Sequence, residues 1–111
     1  MHYLLIISHD DYFAPTPKLV PEIVAWTKKR RDERVLVDSN PLVPSSQAIT
    51  VRVREGIVQR KNGPFAKSRE KMCAYALISA KSMDDAVSIA ITHPMARAAT
   101  IEVRPVWQEL R

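Results

Sequence analysis

"AITVRVREGIVQRKNGPFAKSREKMCAYALI", Ala48–Ile78, settles what kind of sheet this chain builds. Ile49, Val51 and Val53 alternate with Thr50, Arg52 and Arg54. That is the period-two pattern of a strand with one apolar and one polar face, and it is expected to bury the apolar one. Glu55-Gly56 then reads as a two-residue hairpin turn into "IVQR", because glycine supplies the positive φ that such turns require. A second turn follows at Asn62-Gly63-Pro64-Phe65. Asn62 can cap it through its amide, Gly63 lacks a Cβ, and Pro64 fixes φ. Phe65 is expected to pack this turn onto the sheet, a contact of roughly 1.5–3 kcal/mol if the ring is fully buried. "MCAYALI", Met72–Ile78, is the next strand.

Upstream, "YLLIIS" (Tyr3–Ser8) is a short apolar strand that ends where His9, Asp10 and Asp11 open a polar loop. Leu19, Ile23 and Trp26 fall at i, i+4 and i+7, the stripe of an amphipathic helix, with Pro21 tolerable only in its first turn. "VLV" at 35–37 is at most a brief extended piece, and Asp38–Gln47 is a loop of turn-forming residues. Downstream, Ser82 is placed to cap a helix through Asp85, three residues on. Its apolar stripe is Met83, Val87, Ala90 and Ile91, and His93-Pro94 ends it. "TIEVRPV" closes the order with Ile101 and Val103 opposed to Thr100, Glu102 and Arg104.

One domain over residues 1–111 fits the length, and there is neither a repeat nor an internal boundary. Apart from the extra hairpin strand, the order is the split β-α-β-β-α-β of ferredoxin-like α+β folds. Two helices cover one face of such a sheet and leave the other to water or a partner. A lone Cys73 fits a reducing compartment. No membrane span or signal peptide is expected, so the chain reads as cytoplasmic.

Seventeen basic against twelve acidic residues give a net charge of +5. The run "KKRRDER", Lys28–Arg34, holds two acids and no aromatic ring; it reads as a solvated helix end, and nucleic acid is not an expected partner.

The segments "NGPFAKSREKMCAYALI", "AITVRVREG" and "TIEVRPVW" together resemble the DGPF-motif proteins of the YCII-like superfamily, in order and in spacing. The resemblance implies a ferredoxin-like domain that forms a homodimeric α+β barrel through its sheet. It also implies either a ligand-binding or regulatory module linked to sigma factors and transcription, or a small lyase or isomerase acting on an anionic aromatic or lactone-like substrate. Asn62 stands where the family motif has aspartate, and Cys73-Ala74 where it has two glycines. The first helix lacks the histidine of the lyases' His-Asp pair, so that pair is not carried over.

From the residues themselves, Arg104, Arg52 and Arg54 are the candidate ligands for a small anion, because a guanidinium matches two carboxylate oxygens at once. Glu102 is the candidate acid or base, or else simply the ion-pair partner of a neighbouring arginine. His9 is the second catalytic candidate, its alternative being a plain surface histidine. His93 is expected to be a helix-end cation favoured by the dipole, and Trp26 a core residue. Three scattered histidines and one cysteine show no ligand spacing, so neither metal nor cofactor is expected.

Overall fold

The computed structural model describes residues 1–108. β1 (His2–His9) lies at the centre, antiparallel to β5 (Lys71–Ser79) on one side and to β6 (Thr100–Pro105) on the other. β2 (Leu36–Pro41) adds to the far side of β5, giving the order β2-β5-β1-β6. Pro41 can end β2 because an edge strand has one row of N–H groups with no sheet partner.

β2 corrects the sequence reading twice. Residues 38–41 are strand rather than loop, despite the turn-prone Asp-Ser-Asn-Pro, because pairing with the exposed edge of β5 outweighs weak local preference. It also takes the second strand place of the split β-α-β-β-α-β order. The strand around Val51, β3 (Ile49–Arg54), pairs only with β4 (Ile57–Asn62) in a separate two-stranded sheet. Its turn is as expected, with Glu55 and Gly56 both at positive φ (51° and 78°). Ile49, Val51 and Val53 are not buried, however, since neither helix lies over this hairpin arm.

Helix α1 (Leu19–Asp32) and helix α2 (Met83–Ile91) pack on one face of the main sheet. Alternate β1 residues Tyr3, Leu5 and Ile7 point under them, at 2, 0 and 2% exposure; Tyr3 and Leu5 meet Ala76 and Ile78 of β5, and Ile7 packs with Leu19 and Met95. Trp26 is core, as expected. Its indole Nε1 donates to Thr92 Oγ1 at 2.9 Å, tying α1 to the end of α2. Ser82 caps α2, accepting from the Asp85 amide at 3.1 Å. The buried side of α2 is Ala86, Ile89 and Ala90; of the expected stripe only Ala90 faces the core, and Met83, Val87 and Ile91 look outward. The small alanines let α2 approach the sheet closely, which turns the larger side chains to its flanks. After Pro94 a short helix α3 (Met95–Ala98) leads into β6.

No helix among the described residues is long and apolar enough to cross a membrane.

Candidate functional site

The carboxyl end of β1 and the inner side of α1 do not close on each other. Between them is a cavity of about 670 Å³. Ile7, Cys73 and Ala74 of the sheet form its floor, Leu19 and Ile23 one wall, and Met95 one end. A β-bulge opposite Ile7–Ser8 shapes this floor. Cys73 is half-buried there and its thiol donates to the Ile7 carbonyl at 3.4 Å. Burial pushes that thiol up from its ordinary pKa, outweighing the downward pull of the backbone hydrogen bond, so it stays protonated near neutral pH.

Two histidines reach the cavity. His9 is the last residue of β1, half-buried, and its ring stacks on Phe13 with centroids 4.5 Å apart and planes 19° from parallel. A tight turn places Phe13: Asp10 Oδ1 accepts from the Tyr12 amide, and the Asp10 carbonyl accepts from the Phe13 amide. His9 Nδ1 lies 2.9 Å from that same carbonyl. A carbonyl only accepts, so Nδ1 carries the proton and a neutral His9 keeps its lone pair on Nε2. Adjacent Asp10 thus fixes the histidine through its backbone and not its carboxylate.

His93 overturns its expected role as a helix-end cation. It is 3% exposed, packs edge-on against Trp26 at 4.5 Å, and accepts the Met95 amide on Nδ1 at 3.0 Å. Burial lowers its pKa from 6.5 to about 4, so it is neutral at pH 7 and helps to hold the start of α3.

The rim is charged. Lys28, Arg31 and Asp32 of the last turns of α1 line the opening, so part of the basic run Lys28–Arg34 faces this cavity. The combined surface is an apolar slot with one ring stack at its end and two cations and one carboxylate at its mouth. A flat, mostly apolar molecule with a negative group fits that chemistry.

The anion candidates are placed differently. Glu102 and Arg104 are on β6, exposed, with Oε2 and Nε 3.7 Å apart, so the carboxylate already has a partner. Arg52 and Arg54 sit on β3, in the other sheet. Arg52 lies over the Phe65 ring, Cζ 4.5 Å from its centroid, and Arg54 donates to the Val53 carbonyl at 3.1 Å. The four residues therefore share no sheet within the protomer.

The turn at Asn62–Phe65 keeps its backbone logic. Gly63 has φ +96°, its amide donates to the Ala48 carbonyl at 2.7 Å, and its carbonyl accepts from Thr50 Oγ1 at 2.8 Å. Phe65 is no anchor, being 66% exposed. Pro64 follows, half-buried. No group of three or more possible metal ligands occurs among the described residues.

Phe13, Lys28 and Arg31 escaped the sequence reading as site residues. Nothing in the spacing of residues 7, 13, 23, 73 and 95 marks a shared surface; only the bulge and the proline-rich entry to α1 bring them together.

A curated relative, the uncharacterized protein R00369 of Rhizobium meliloti (strain 1021), is 30% identical over 74% of this chain and 80% of its own length. Among solved structures, the 5-chloro-2-hydroxyhydroquinone dehydrochlorinase of Burkholderia phenoliruptrix AC1100, complexed with 2,5-dihydroxybenzoquinone, superposes with a TM-score of 0.54. That match covers 96% of this chain and 93% of the enzyme at 12% identity, a likeness of fold. The family model for the YCII-related domain matches residues 1–109, and the chain belongs to that family.

Proposed function

We propose that this protein binds a flat, anionic aromatic molecule in the cavity between α1 and the sheet. The carrying observation is the His9–Phe13 stack at the end of an apolar slot whose mouth holds Lys28 and Arg31. An aromatic ring extends such a stack, and an ionised oxygen is held by the rim cations. 2,5-Dihydroxybenzoquinone, the ligand of the structural neighbour, is itself flat and acidic and makes a suitable first probe. Isothermal titration with this quinone and with hydroxybenzoates tests the reading. Ile23→Trp, which fills the slot, should abolish binding, and Arg31→Gln should weaken it about 3- to 30-fold. Binding that survives Ile23→Trp, or no binding by any member of the panel, overturns the assignment.

A ligand-sensing module and a lyase would share this cavity and part company at His9. The observation favouring catalysis is the free lone pair on Nε2, which could accept a proton from a substrate hydroxyl. Loss of turnover with retained binding in His9→Gln would identify the lyase. Binding without turnover in the wild type identifies the sensor, which we favour because His9 is held by the Asp10 backbone carbonyl and by no carboxylate side chain among the described residues.

The active form is a homodimer formed through the sheet face without helices. There Leu4, Ile6 and Leu77 lie half-covered on facing positions of β1 and β5, with Tyr75 hydrogen-bonded to Asp38 beside them. Three apolar side chains on a face open to water favour a partner over solvent. Sedimentation should give a dimer at micromolar concentration and a monomer for Ile6→Glu, whereas a monomeric wild type contradicts the proposal.

A further inference from the structure

Residues 49–71, the hairpin arm and the loop after it, contain seven basic and two acidic residues. That excess equals the net charge of +5 of the whole chain, so the remaining residues balance to zero. The ion pairs among the described residues are Arg30–Glu33, Arg97–Glu22 and Arg104–Glu102, and none involves an arm cation. A neutral body thus carries a polycationic ribbon whose charges have no carboxylate partner among the described residues.

The cations are also ordered. The register pairs Thr50 with Lys61 and Arg52 with Gln59, and alternation puts Arg52, Arg54 and Lys61 on one face. The Gly63 turn folds Phe65 and Lys67 against that face, enclosing about 320 Å³. Phe65 remains 66% exposed, with the Arg52 guanidinium stacked on it. An exposed ring beside a row of unpaired cations is the pattern by which single strands are held: phosphates along the cations, a base on the ring or guanidinium plane.

We propose that the arm binds single-stranded nucleic acid, with Arg52, Lys61 and Lys67 on the phosphates and Phe65 stacking a base. The expectation that nucleic acid is not a partner rests on Lys28–Arg34, a run with no ring among its residues; the arm supplies both elements.

Fluorescence anisotropy with a labelled oligothymidine of about 12 nucleotides tests this across salt. The wild type should bind at about 50 mM salt, with log K falling roughly 2 units per log unit of salt if three phosphates are engaged. The triple variant Arg52→Gln, Lys61→Gln, Lys67→Gln should lose binding together with that slope. Phe65→Ala should weaken binding about 5- to 100-fold while leaving the slope nearly unchanged, which a purely electrostatic surface would not do. Polyglutamate of matched charge should compete poorly, since it has no base to stack. The proposal fails if the oligonucleotide does not bind at low salt, if the triple variant binds normally, if Phe65→Ala has no effect, or if polyglutamate or a mononucleotide binds as tightly as the strand. All four positions are exposed, so circular dichroism should show the fold intact in every variant.

Discussion

β1, a continuous apolar run, and β3, which alternates apolar with polar residues, meet opposite fates. Along β1, Tyr3, Leu5 and Ile7 vanish beneath two helices; along β3, Val51 remains 62% exposed on a hairpin with no layer above it. Alternation tells a strand which residues share a face, and packing decides whether that face is buried. The body is therefore held by its core. The arm is held by cross-strand hydrogen bonds, two positive-φ glycines and its junction bond from Gly63 to Ala48. A two-stranded hairpin of this kind is marginal in water. It can open while the body stays folded, which suits a surface that meets a partner.

The comparison breaks most visibly in a pair of truncations. Leu5→Ala should cost about 3 kcal/mol in urea melts, because Leu5 is fully buried and its neighbours cannot collapse into the void. Val51→Ala should cost about 0.5 kcal/mol or less. Equal losses would mean that something covers the arm in solution.

A second test concerns acid. Neutral His93 in the fold has a pKa of about 4, against an ordinary 6.5 for the unfolded chain. Above pH 6.5 neither state takes up the proton and the stability is complete. As the pH falls towards 4 the unfolded chain is protonated first, so stability drops, by about 3 kcal/mol in all, and then levels off. His93→Asn, which keeps an acceptor for the Met95 amide, should remove this slope, whereas variants of the arm should leave it unchanged. A wild-type stability that is flat between pH 7 and 4 would show that His93 is not held neutral.

Gly63→Val sharpens the contrast further. A β-branched residue is strained at φ +96° although no atom lies close enough to clash, so the cost of about 1–3 kcal/mol comes from the backbone. Asn62→Ala should cost about 1 kcal/mol or less. Because the arm opens locally, amide exchange in β3 and β4 should rise with Gly63→Val while β1 and β5 stay protected. A change of opposite sign belongs to Arg34, which follows α1 at φ 62°; Arg34→Gly should raise body stability by about 1 kcal/mol.

Much of this fold could be read in advance, and the exceptions share a cause. β1, α1, the Ser82 cap and β6 announce themselves because each is specified by its own residues. β2 was hidden because Asp38–Pro41 favour turns and become strand only against β5. His93 gave no sign of burial, since its cover is Trp26, 67 positions earlier. The cavity was illegible for the same reason, its walls coming from five separate segments. Grouping the anion candidates assumes that every strand joins one sheet, and the separate β3–β4 ribbon does not.

The central claim is a division of labour: the body holds the small ligand, and the arm takes no part in it. Two-dimensional NMR of the labelled protein, titrated with 2,5-dihydroxybenzoquinone, tests this most directly. Amides of His9, Phe13, Ile23, Cys73 and Met95 should move together, while those of Ile49–Asn62 and of Glu102–Arg104 stay in place. Shifts centred on Arg104, Arg52 and Arg54 instead would contradict the account and move the anion site to the strands' charged faces.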